Sequence, residues 1–535
     1  MTRRVENSRV IRSALLVGGF TTLSRFLGLA RDIITAAAFG TSAAMSDFVV
    51  AFSIPNMFRA LFGEGALASA FVPLFTQVRA REGEAAAWHF TRKVVTLLSV
   101  ALALIVAVGI GVTFALQVLP GLIQHAPDVM PLLRIMLPYL LFICLTALSQ
   151  GILNCYHRFA LPAFTPCLLN LTWIGFVLFV CPRLGATDSQ RIPGVAWGVF
   201  AAGLVQLGAQ LPLMLKLGYR PGFAWDAQDP KVRQMLKLMA PTALGQSVSQ
   251  VNMTINRFMA RWATDWATSS MYYAERLLYF PQGILATALS TVLLPVFSGH
   301  AATGDHARIR DTLNHSLRTL LFIMIPAAIG LFALAQPILQ AMFGWGKFGG
   351  ESLRHTTLVL QVYAPGLLFF GLAKVFVPAF YALQDMRTPY RNGLHSVSIN
   401  FTLNVIFTLL LPRDLKAASL AFAAVVAEAF NGLTLGWQLS RRIGSPGWSD
   451  ILRSAGRSLV AAALMGLGVA VAHPLLVRGL AALRVSGKAL QFAALLPCLA
   501  LGVGMYLLAA GLLRCPEIQD VRQALAARRQ RKSTA

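Results

Sequence analysis

Charged residues are scarce in this chain. Only 13% of its 535 residues are Asp, Glu, Lys or Arg, whereas 56% are hydrophobic. A soluble protein of this length needs many more charged residues, so the shortage excludes an ordinary globular fold. Apolar runs long enough to cross the roughly 30 Å hydrocarbon core of a bilayer recur from end to end. The sequence therefore predicts an all-α polytopic membrane protein with almost no soluble portion.

Several motifs of enzymes and metal proteins are also missing. The chain has no GxxxxGK(S/T) phosphate-binding loop, which argues against ATP hydrolysis, and no HExxH zinc motif. Its six cysteines form no CxxC pair, so we interpret them as packing residues and not as disulfides or metal ligands. A membrane glycosyltransferase would need acidic residues at an outer loop, and the first predicted outer loop, 40–47, is very short. We predict no enzyme activity, no metal site and no cofactor.

The apolar runs number about fourteen, each near the length of a transmembrane helix. Basic residues concentrate in alternate loops, as the positive-inside rule requires, although Arg183, Arg413 and Lys416 depart from the trend. This distribution explains the formal net charge of +25 without a nucleic-acid partner. An even helix count with a basic start and a basic end (528–532) predicts that both termini lie in the cytoplasm.

Two halves of the chain resemble each other. Residues 138–162 match residues 365–389, and residues 66–76 match residues 288–298 at nearly the same offset. The offset corresponds to six predicted helices, and because six is even, both copies enter the membrane in the same orientation as parallel repeats. We predict three parts: an N-terminal lobe of six helices (1–220), a C-terminal lobe of six helices (221–445), and two further helices with a basic tail (446–535).

Lobes of this kind usually enclose a central cavity and alternate its access by rocking. Pro55 and Pro73 break predicted helix 2, and Pro281 and Pro295 break predicted helix 8, the matching member of the second lobe. Broken helices at matching positions point to the substrate site.

Arginines interrupt the apolar runs. Arg25 and Arg31 lie in the first run, Arg59 lies in the second, and Arg276 follows Glu275 near the outer end of predicted helix 8. A cation at the bilayer centre costs on the order of 2.5–3.5 kcal/mol on insertion scales, so such residues usually serve a function. Guanidinium stays charged and binds phosphate oxygens in pairs, which suits a diphosphate. We predict an anion site; the alternative is internal ion pairs, such as Arg276 with Glu275, that only lock helices together.

Acidic residues accompany these arginines at the start of the chain. Asp32 can orient Arg31, Asp47 opens predicted helix 2, and Glu64 lies in a flexible Gly-Glu-Gly segment. An ion pair between Arg31 and Asp47 would be a purely structural alternative. Because cations exceed nearby carboxylates only modestly here, counting charges does not decide between the two interpretations.

Other polar residues lie in later predicted helices. Arg134 begins predicted helix 4 near the outer face, where it either contacts the ligand or snorkels to the headgroups. Lys374 lies deep in predicted helix 10, and we favour a functional role for it. Glu428 lies three residues before Asn431, and a lone membrane carboxylate can take a proton or Na⁺. A hydrogen bond to a neighbouring helix is the alternative for Glu428.

Several segments together resemble the MurJ/MviN family, the bacterial lipid II flippases of the multidrug/oligosaccharidyl-lipid/polysaccharide exporter superfamily. The similarity runs from about residue 10 to residue 440 and is weaker over predicted helices 13 and 14. Its most specific segments are 24–32, 54–73, 154–170, 271–285 and 346–348. The resemblance implies fourteen helices in two lobes plus two, with the apolar run 489–513 helping to form a groove for the lipid tail.

The resemblance also implies which residues face the substrate. The family's diphosphate and cavity positions carry over to Arg25, Arg31, Arg59 and Arg276, with Asp47 and Glu275 beside them and Ser24, Arg134 and Lys374 at further polar positions. Glu275 replaces the aspartate expected from relatives. Ser53 and Ala60 occupy positions where relatives can carry basic residues, which leaves more of the anion binding to Arg59.

The implied function is to flip lipid II, undecaprenyl-diphosphate disaccharide-pentapeptide, from the inner to the outer leaflet of the bacterial cytoplasmic membrane for peptidoglycan synthesis. The expected partners are lipid II, membrane lipids and the cell-wall synthesis machinery, with coupling to membrane potential or a monovalent ion. Two alternatives remain at this point. The chain could export another cargo, such as an O-antigen-type lipid-linked oligosaccharide or a drug, or it could be a non-transporting scaffold for cell-wall enzymes.

Overall fold

The computed structural model describes residues 2–61, 67–117, 126–283, 287–483 and 486–518. Every regular element in these ranges is helical, which confirms the predicted all-α class. The helices are α1 (Thr2–Phe39), α2 (Ala43–Phe58), α3 (Leu67–Glu82), α4 (Glu84–Gln117), α5 (Val129–Met136), α6 (Tyr139–Cys155), α7 (Ala160–Gly175), α8 (Asp188–Lys216), α9 (Pro230–Ala263), α10 (Ala267–Pro281), α11 (Thr287–Ala302), α12 (His306–Ala333), α13 (Ala335–Met342), α14 (Gly350–Tyr363), α15 (Gly366–Ala382), α16 (Arg387–Leu410), α17 (Arg413–Ile443), α18 (Trp448–Ala482) and α19 (Gly487–Leu512).

Many of these helices are suited to a bilayer. Within the described ranges, nine spans are long and apolar enough to cross a membrane, and the pair α14–α15, bent by 46°, makes ten. The other four predicted spans fall on α1, α2–α3, α9 and α10–α11, which include the helices that carry the arginines of the predicted site. The protein is therefore a multi-pass membrane protein, while the count of fourteen helices stays a prediction.

The two copies of the repeat have matching breaks. Pro138 separates α5 from α6, and Pro365 separates α14 from α15, because proline removes a backbone donor and clashes with the preceding turn. In each copy, the second residue after the helix that follows the proline has positive φ, His157 (56°) in one copy and Gln384 (58°) in the other. Both residues lie at the same distance along the chain from their proline. The backbone thus repeats with the sequence.

The described chain forms two compact units. The first contains Met1–Ser269 and Gly346–Phe348, and the second contains Ser270–Trp345 and Gly349–Ala535. Helix α9 belongs to the first unit, where it packs on α2, α3 and α4. The division into lobes at residues 220 and 445 stays a prediction, since compact packing and sequence repetition are different criteria.

Aromatic packing fills the core of the first unit. Phe71 and Phe75 from α3 stack on each other, and Trp88 from α4 stacks on Tyr156 with ring centroids 5.7 Å apart. The side chain of Arg79 lies over the Tyr156 ring at 4.1 Å, which covers this end of the core with a cation–π contact. The α3–α4 hairpin is therefore fixed to the end of α6.

The loop between α8 and α9 is fixed to α4 by ion pairs. Lys93 Nζ donates to Asp226 Oδ2 at 2.8 Å and to Asp229 Oδ2 at 2.7 Å. Asp229 also caps α9, since its Oδ1 accepts from the backbone N–H of Lys231 at 2.7 Å. Lys231 in turn pairs with Glu82 at the end of α3.

We expect these ion pairs to make stability depend on acid pH. Hydrogen bonding from Lys93 lowers the pKa of Asp226; burial acts to raise the pKa of Asp229, but hydrogen bonds from Lys93 and from the Lys231 N–H lower it overall. Depressed carboxyl pKa values stabilise the fold above the ordinary value of about 3.9, and this stabilisation disappears as the pH falls through the folded-state values.

Thermal unfolding in detergent between pH 3 and pH 7 tests this expectation. Asp229→Asn should make the unfolding temperature depend less on pH at the acid end of this range. The helix cap should be preserved, because asparagine is also a good N-cap. At pH 7, the free energy of unfolding of Asp229→Ala should be about 1 kcal/mol lower than that of Asp229→Asn, because alanine cannot cap the helix. If the unfolding temperature of Asp229→Asn falls at acid pH as that of the wild type does, the ion pair between Lys93 and Asp229 contributes nothing to stability.

Two clusters of buried residues lie in the described part of the second unit. The first joins α11, α12, α15 and α17 around Phe297, Leu317, Phe376 and Leu435, all of which are buried. The second joins α12 to α18 and α19, where the Tyr506 hydroxyl donates to the Phe322 carbonyl at 2.6 Å. The last two helices are thus packed against α12.

Candidate functional site

Arg31 is buried and held on several sides within the first unit. The residue as a whole is only 9% exposed. Nε and Nη2 donate to Asp32 Oδ1 at 3.0 and 2.7 Å, and Nη1 donates to Asn170 Oδ1 on α7 at 3.1 Å. The guanidinium also lies 4.6 Å from the centre of the Trp173 ring. Asp32 therefore orients Arg31, as predicted, and a pairing of Arg31 with Asp47 is wrong.

The surroundings of Arg31 join three helices. The Asn170 side chain donates to the carbonyl of Ser24 at 3.1 Å, which places Ser24, half-buried, at the contact between α1 and α7. Trp173 Nε1 donates to Thr35 Oγ1 at 3.1 Å. Phe48 of α2 meets the Trp173 ring edge-on at 5.2 Å. Arg31 thus lies in a packed junction that favours a fixed position for its charge.

Arg25 is placed differently, although it lies on the same helix. Its side chain is exposed, and within the described residues the structure gives it no hydrogen bond or ion pair. Arg31 lies six positions after Arg25, and this spacing turns a straight helix by roughly 600° and leaves the two side chains about 120° apart. Of Arg25 and Arg31, Arg25 is the one whose side chain is open to a ligand.

Asp47 forms an ion pair with an arginine that the sequence analysis did not single out. Asp47 is 1% exposed, and Arg261 near the end of α9 is 5% exposed. Arg261 Nε donates to Asp47 Oδ1, Arg261 Nη1 donates to Asp265 Oδ1 at 2.6 Å, and the Asp128 N–H donates to Asp47 Oδ2 at 3.2 Å. Beside this pair, the hydroxyl oxygens of Ser46 and Ser269 lie 3.0 Å apart. The spacing of Arg261 and Asp265, four residues apart on the chain, was the available local signal.

Arg59 lies where α2 ends and a π-helical turn begins at 59–61. It is half-buried, and its Nε and Nη2 donate to Asn56 Oδ1 at 3.2 and 3.0 Å. Ser53 is fully buried and bonds to the Val50 carbonyl, and Ala60 is also buried, so both positions serve packing here. Glu64 lies outside the described residues.

Arg134 is bound to the end of α4. Its Nε donates to Thr113 Oγ1 at 2.9 Å, its Nη2 donates to Gln117 Oε1, and the guanidinium lies 3.9 Å from the Phe114 ring centre. A cation at the C-terminal end of a helix is favourable, because the last carbonyls point towards it. Arg134 therefore makes intramolecular contacts with the end of α4, and its role at the ligand site stays a prediction.

In the second unit, Arg276 is bound by an aromatic side chain of its own helix. Arg276 Nη2 donates to the Tyr272 hydroxyl at 2.8 Å, and the guanidinium lies 4.5 Å from the Tyr272 ring centre. Arg276 and the neighbouring Glu275 are both half-buried. Tyr273 packs on Phe343 at 5.3 Å, which fixes this part of α10.

Lys374, Glu428 and Asn431 lie on two helices of the second unit that pack together. Lys374 on α15 is exposed, and its charge acts on Glu428 on α17. Asn431 Nδ2 donates to Glu428 Oε2 at 3.4 Å. The structure thus places the predicted carboxylate beside both the predicted amide and the predicted lysine.

A row of buried polar residues on α16 also escaped the sequence analysis. Its members recur at every fourth position and are at most 6% exposed: Asn392, Ser396, Asn400, Asn404 and Thr408. Ser396 Oγ donates to the Ala427 carbonyl on α17 at 2.9 Å, and Asn392 exchanges hydrogen bonds with Gln438. The four-residue period, which places polar groups on one helix face, was the signal in the sequence. Polar residues inside a membrane are expensive and usually functional.

Comparison with known proteins decides the family. The sequence model of the family described as "Lipid II flippase MurJ" matches residues 35–481. The chain belongs to the MurJ family. The match continues past residue 440, where the resemblance of the sequence segments becomes weaker, and it includes α18. It begins after Arg25 and Arg31.

Individual members of the MurJ family agree with this assignment. The lipid II flippase MurJ of Burkholderia cenocepacia is 35% identical over 473 residues, which cover 85% of this chain and 89% of that protein. The probable lipid II flippase MurJ of Vibrio cholerae is 35% identical over 413 residues, covering 75% of this chain and 78% of that protein. The family is one of transporters and not of enzymes.

Solved structures show the same fold. A lipid II flippase MurJ in an inward closed conformation superposes with a TM-score of 0.73 at 24% identity, covering 94% of this chain and all of the other. An inward-facing multidrug resistance transporter of the MATE family superposes with a TM-score of 0.59 at 14% identity, covering 82% and 99%. The MurJ-family chain therefore has the fold of the wider transporter superfamily.

Proposed function

We propose that this protein flips lipid II from the cytoplasmic to the outer leaflet of the bacterial cytoplasmic membrane, by alternating access, to supply peptidoglycan synthesis. The match to the MurJ family over residues 35–481 carries this proposal. The many apolar spans fit a multi-pass transporter with both termini in the cytoplasm. The family match favours lipid II over the other cargoes and over a purely structural scaffold.

The headgroup site uses the arginines in different ways. Arg25 is exposed and open in the described part of the chain, so it is the first ligand for the diphosphate. Arg59 is half-buried where α2 ends and serves as a further ligand, and Arg276, half-buried within α10 of the second unit, stays a predicted ligand. Arg31 acts as a positioning residue, because Asp32 and Asn170 already occupy its donors.

The polyprenyl tail stays in lipid and lies along the last two helices. Between α18 and α19, a cavity of about 420 Å³ is lined by Leu475, Leu476, Leu480 and Leu501. An apolar cavity on the membrane surface of the protein suits a hydrocarbon chain. This arrangement supports the lipid-tail groove expected for 489–513.

A headgroup accessibility assay tests the function. The purified protein is reconstituted into liposomes that contain lipid II with a fluorescent headgroup, and a membrane-impermeant quencher reports the leaflet. Lipid II should become accessible faster than in protein-free liposomes, while an O-antigen-type lipid-linked oligosaccharide should not. Equal rates with and without protein would refute the proposal, and equal transport of both lipids would shift it to a broader exporter.

Ion coupling is the second part of the proposal, and Glu428 is its candidate. Glu428 lies beside Asn431, and the helix that carries both packs against the polar row of α16. A carboxylate with neutral oxygen ligands nearby can exchange a proton or bind a monovalent cation.

Contact with the cell-wall synthesis machinery would use the exposed aromatic residues Phe223 and Trp225 of the α8–α9 loop.

Glu428→Gln should lower the flipping rate about 10-fold, equivalent to about 1.4 kcal/mol, and abolish its dependence on pH or Na⁺. Glutamine keeps the shape and can still bond to Asn431, but it cannot change its charge. Flipping rates are measured across pH and Na⁺ gradients, with Gln438→Glu on the same helix as the control. If Glu428→Gln shows the wild-type gradient dependence, coupling resides elsewhere.

A further inference from the structure

A second cavity lies in the first unit, at the end of α1, and plays no part in the site described above. Its volume is about 470 Å³, within the range of small-ligand sites. Ile34 and Ala38 of α1 form one apolar wall, and Val177 and Leu178 form another. The cavity therefore presents a place for a hydrocarbon group.

A π-helical turn (Phe176–Val180) builds the second wall. It follows α7 directly and leads into a 3₁₀ turn (Cys181–Arg183). Turns of the π type are rare and are frequently found at functional sites. Arg183, one of the basic residues that depart from the positive-inside trend, donates from Nη1 to the Phe179 carbonyl within this turn. The wall is thus an irregular segment held in place by a cation.

The segment Gly346–Phe348 closes the edge of the cavity. The Lys347 N–H donates to the Ala37 carbonyl at 2.9 Å and so caps the last turn of α1. Gly346 has φ of 52°, and a Cβ there would lie 2.3 Å from the Ala37 carbonyl oxygen, so only glycine fits. Phe348 is fully buried. This segment, singled out by the sequence comparison, is therefore fixed against α1.

Two basic residues, Arg191 and Lys347, also line the cavity. Arg191 lies in the first turn of α8, and the one side-chain hydrogen bond that the structure gives it within the described residues runs from Nε to the Gly185 carbonyl at 2.8 Å. Its terminal Nη nitrogens stay open to a ligand. Lys347 Nζ pairs with Asp188, and Lys347 is exposed. Because α7 and α8 are both apolar spans, the short turn between them marks the level of the lipid headgroups.

We propose that this cavity binds an anionic phospholipid, with an acyl chain along the walls from α1 and the π-helical turn and the phosphate at Arg191 and Lys347. A guanidinium and an ammonium at headgroup level complement a phosphate that keeps its negative charge. Phosphatidylglycerol fits this chemistry, whereas the choline of phosphatidylcholine places a fixed cation beside its phosphate.

Native mass spectrometry of the full-length, delipidated protein tests the proposal. Phosphatidylglycerol and phosphatidylcholine with identical acyl chains are titrated separately, and sodium phosphate is the probe for a free anion. The wild type should bind phosphatidylglycerol at least 10-fold more tightly than phosphatidylcholine. The double variant Arg191→Gln/Lys347→Gln should lose this preference, and Ala38→Phe, which fills the cavity without changing charge, should weaken binding of phosphatidylglycerol as well.

Asp188→Asn is the matched control, because it breaks the same ion pair as Lys347→Gln but keeps the cation. It should retain the preference for phosphatidylglycerol. Loss of the preference in Asp188→Asn would assign Lys347 a structural role and overturn the proposal. Competition by sodium phosphate at the same concentration would assign a free-anion site instead, and an unaffected double variant would place lipid binding elsewhere on this basic protein.

Discussion

Replacing Arg261 with glutamine should lower the free energy of unfolding by about 3–5 kcal/mol. Asp47 would then keep a buried negative charge with no cation beside it, since Asp47 is 1% exposed and its other hydrogen bond comes from the Asp128 N–H. Removing one partner of a buried pair costs far more than the pair contributes. Thermal or SDS-induced unfolding of the purified protein in detergent measures the loss.

The double variant Asp47→Asn/Arg261→Gln provides the decisive comparison. Its unfolding free energy should return towards that of the wild type, because two neutral polar groups can bond to each other without a buried charge. Arg308→Gln breaks a pair whose arginine side chain is 71% exposed and should cost below about 1 kcal/mol. Equal losses in Arg261→Gln and in the double variant would mean that shape, and not charge, holds α2 against α9.

Local patterns in the sequence were enough to predict much of this fold. Hydropathy identifies the apolar spans because each must satisfy its backbone hydrogen bonds internally, and the all-α class follows directly. The repeat was visible because prolines fix the backbone in both copies, at Pro138 and Pro365. The pairing of Asp32 with Arg31 was also accessible, since the two residues are adjacent along the chain.

Partners that are distant in sequence were not predictable in the same way. Asp47 and Arg261 are separated by most of the first unit, and several arginines could have served Asp47 equally well on composition alone. Asn170, which completes the environment of Arg31, is an ordinary polar residue of α7 until the two helices meet. Selection among chemically equivalent partners depends on three-dimensional packing, which a single sequence does not encode in any local pattern.

The contrast between Arg25 and Arg31 leads to the prediction with the greatest functional effect. Arg25→Ala should reduce lipid II flipping by about 10- to 100-fold, because a charge-assisted hydrogen bond to phosphate contributes about 1.5–3 kcal/mol. Its unfolding temperature should not change, since Arg25 is exposed and makes no ion pair in the described structure. Arg25→Lys should recover part of the rate, because lysine keeps the charge without the paired donors.

Arg31→Ala is the matched variant on the same helix, and it should behave in the opposite way. It removes the guanidinium that pairs with the buried Asp32 and empties the space beside Trp173, so its unfolding temperature should fall measurably. Reconstitution with lipid II, combined with thermal unfolding of each variant, separates the two effects. If Arg25→Ala destabilises the protein as much as Arg31→Ala does, or if it flips lipid II at the wild-type rate, Arg25 is not a ligand of the diphosphate.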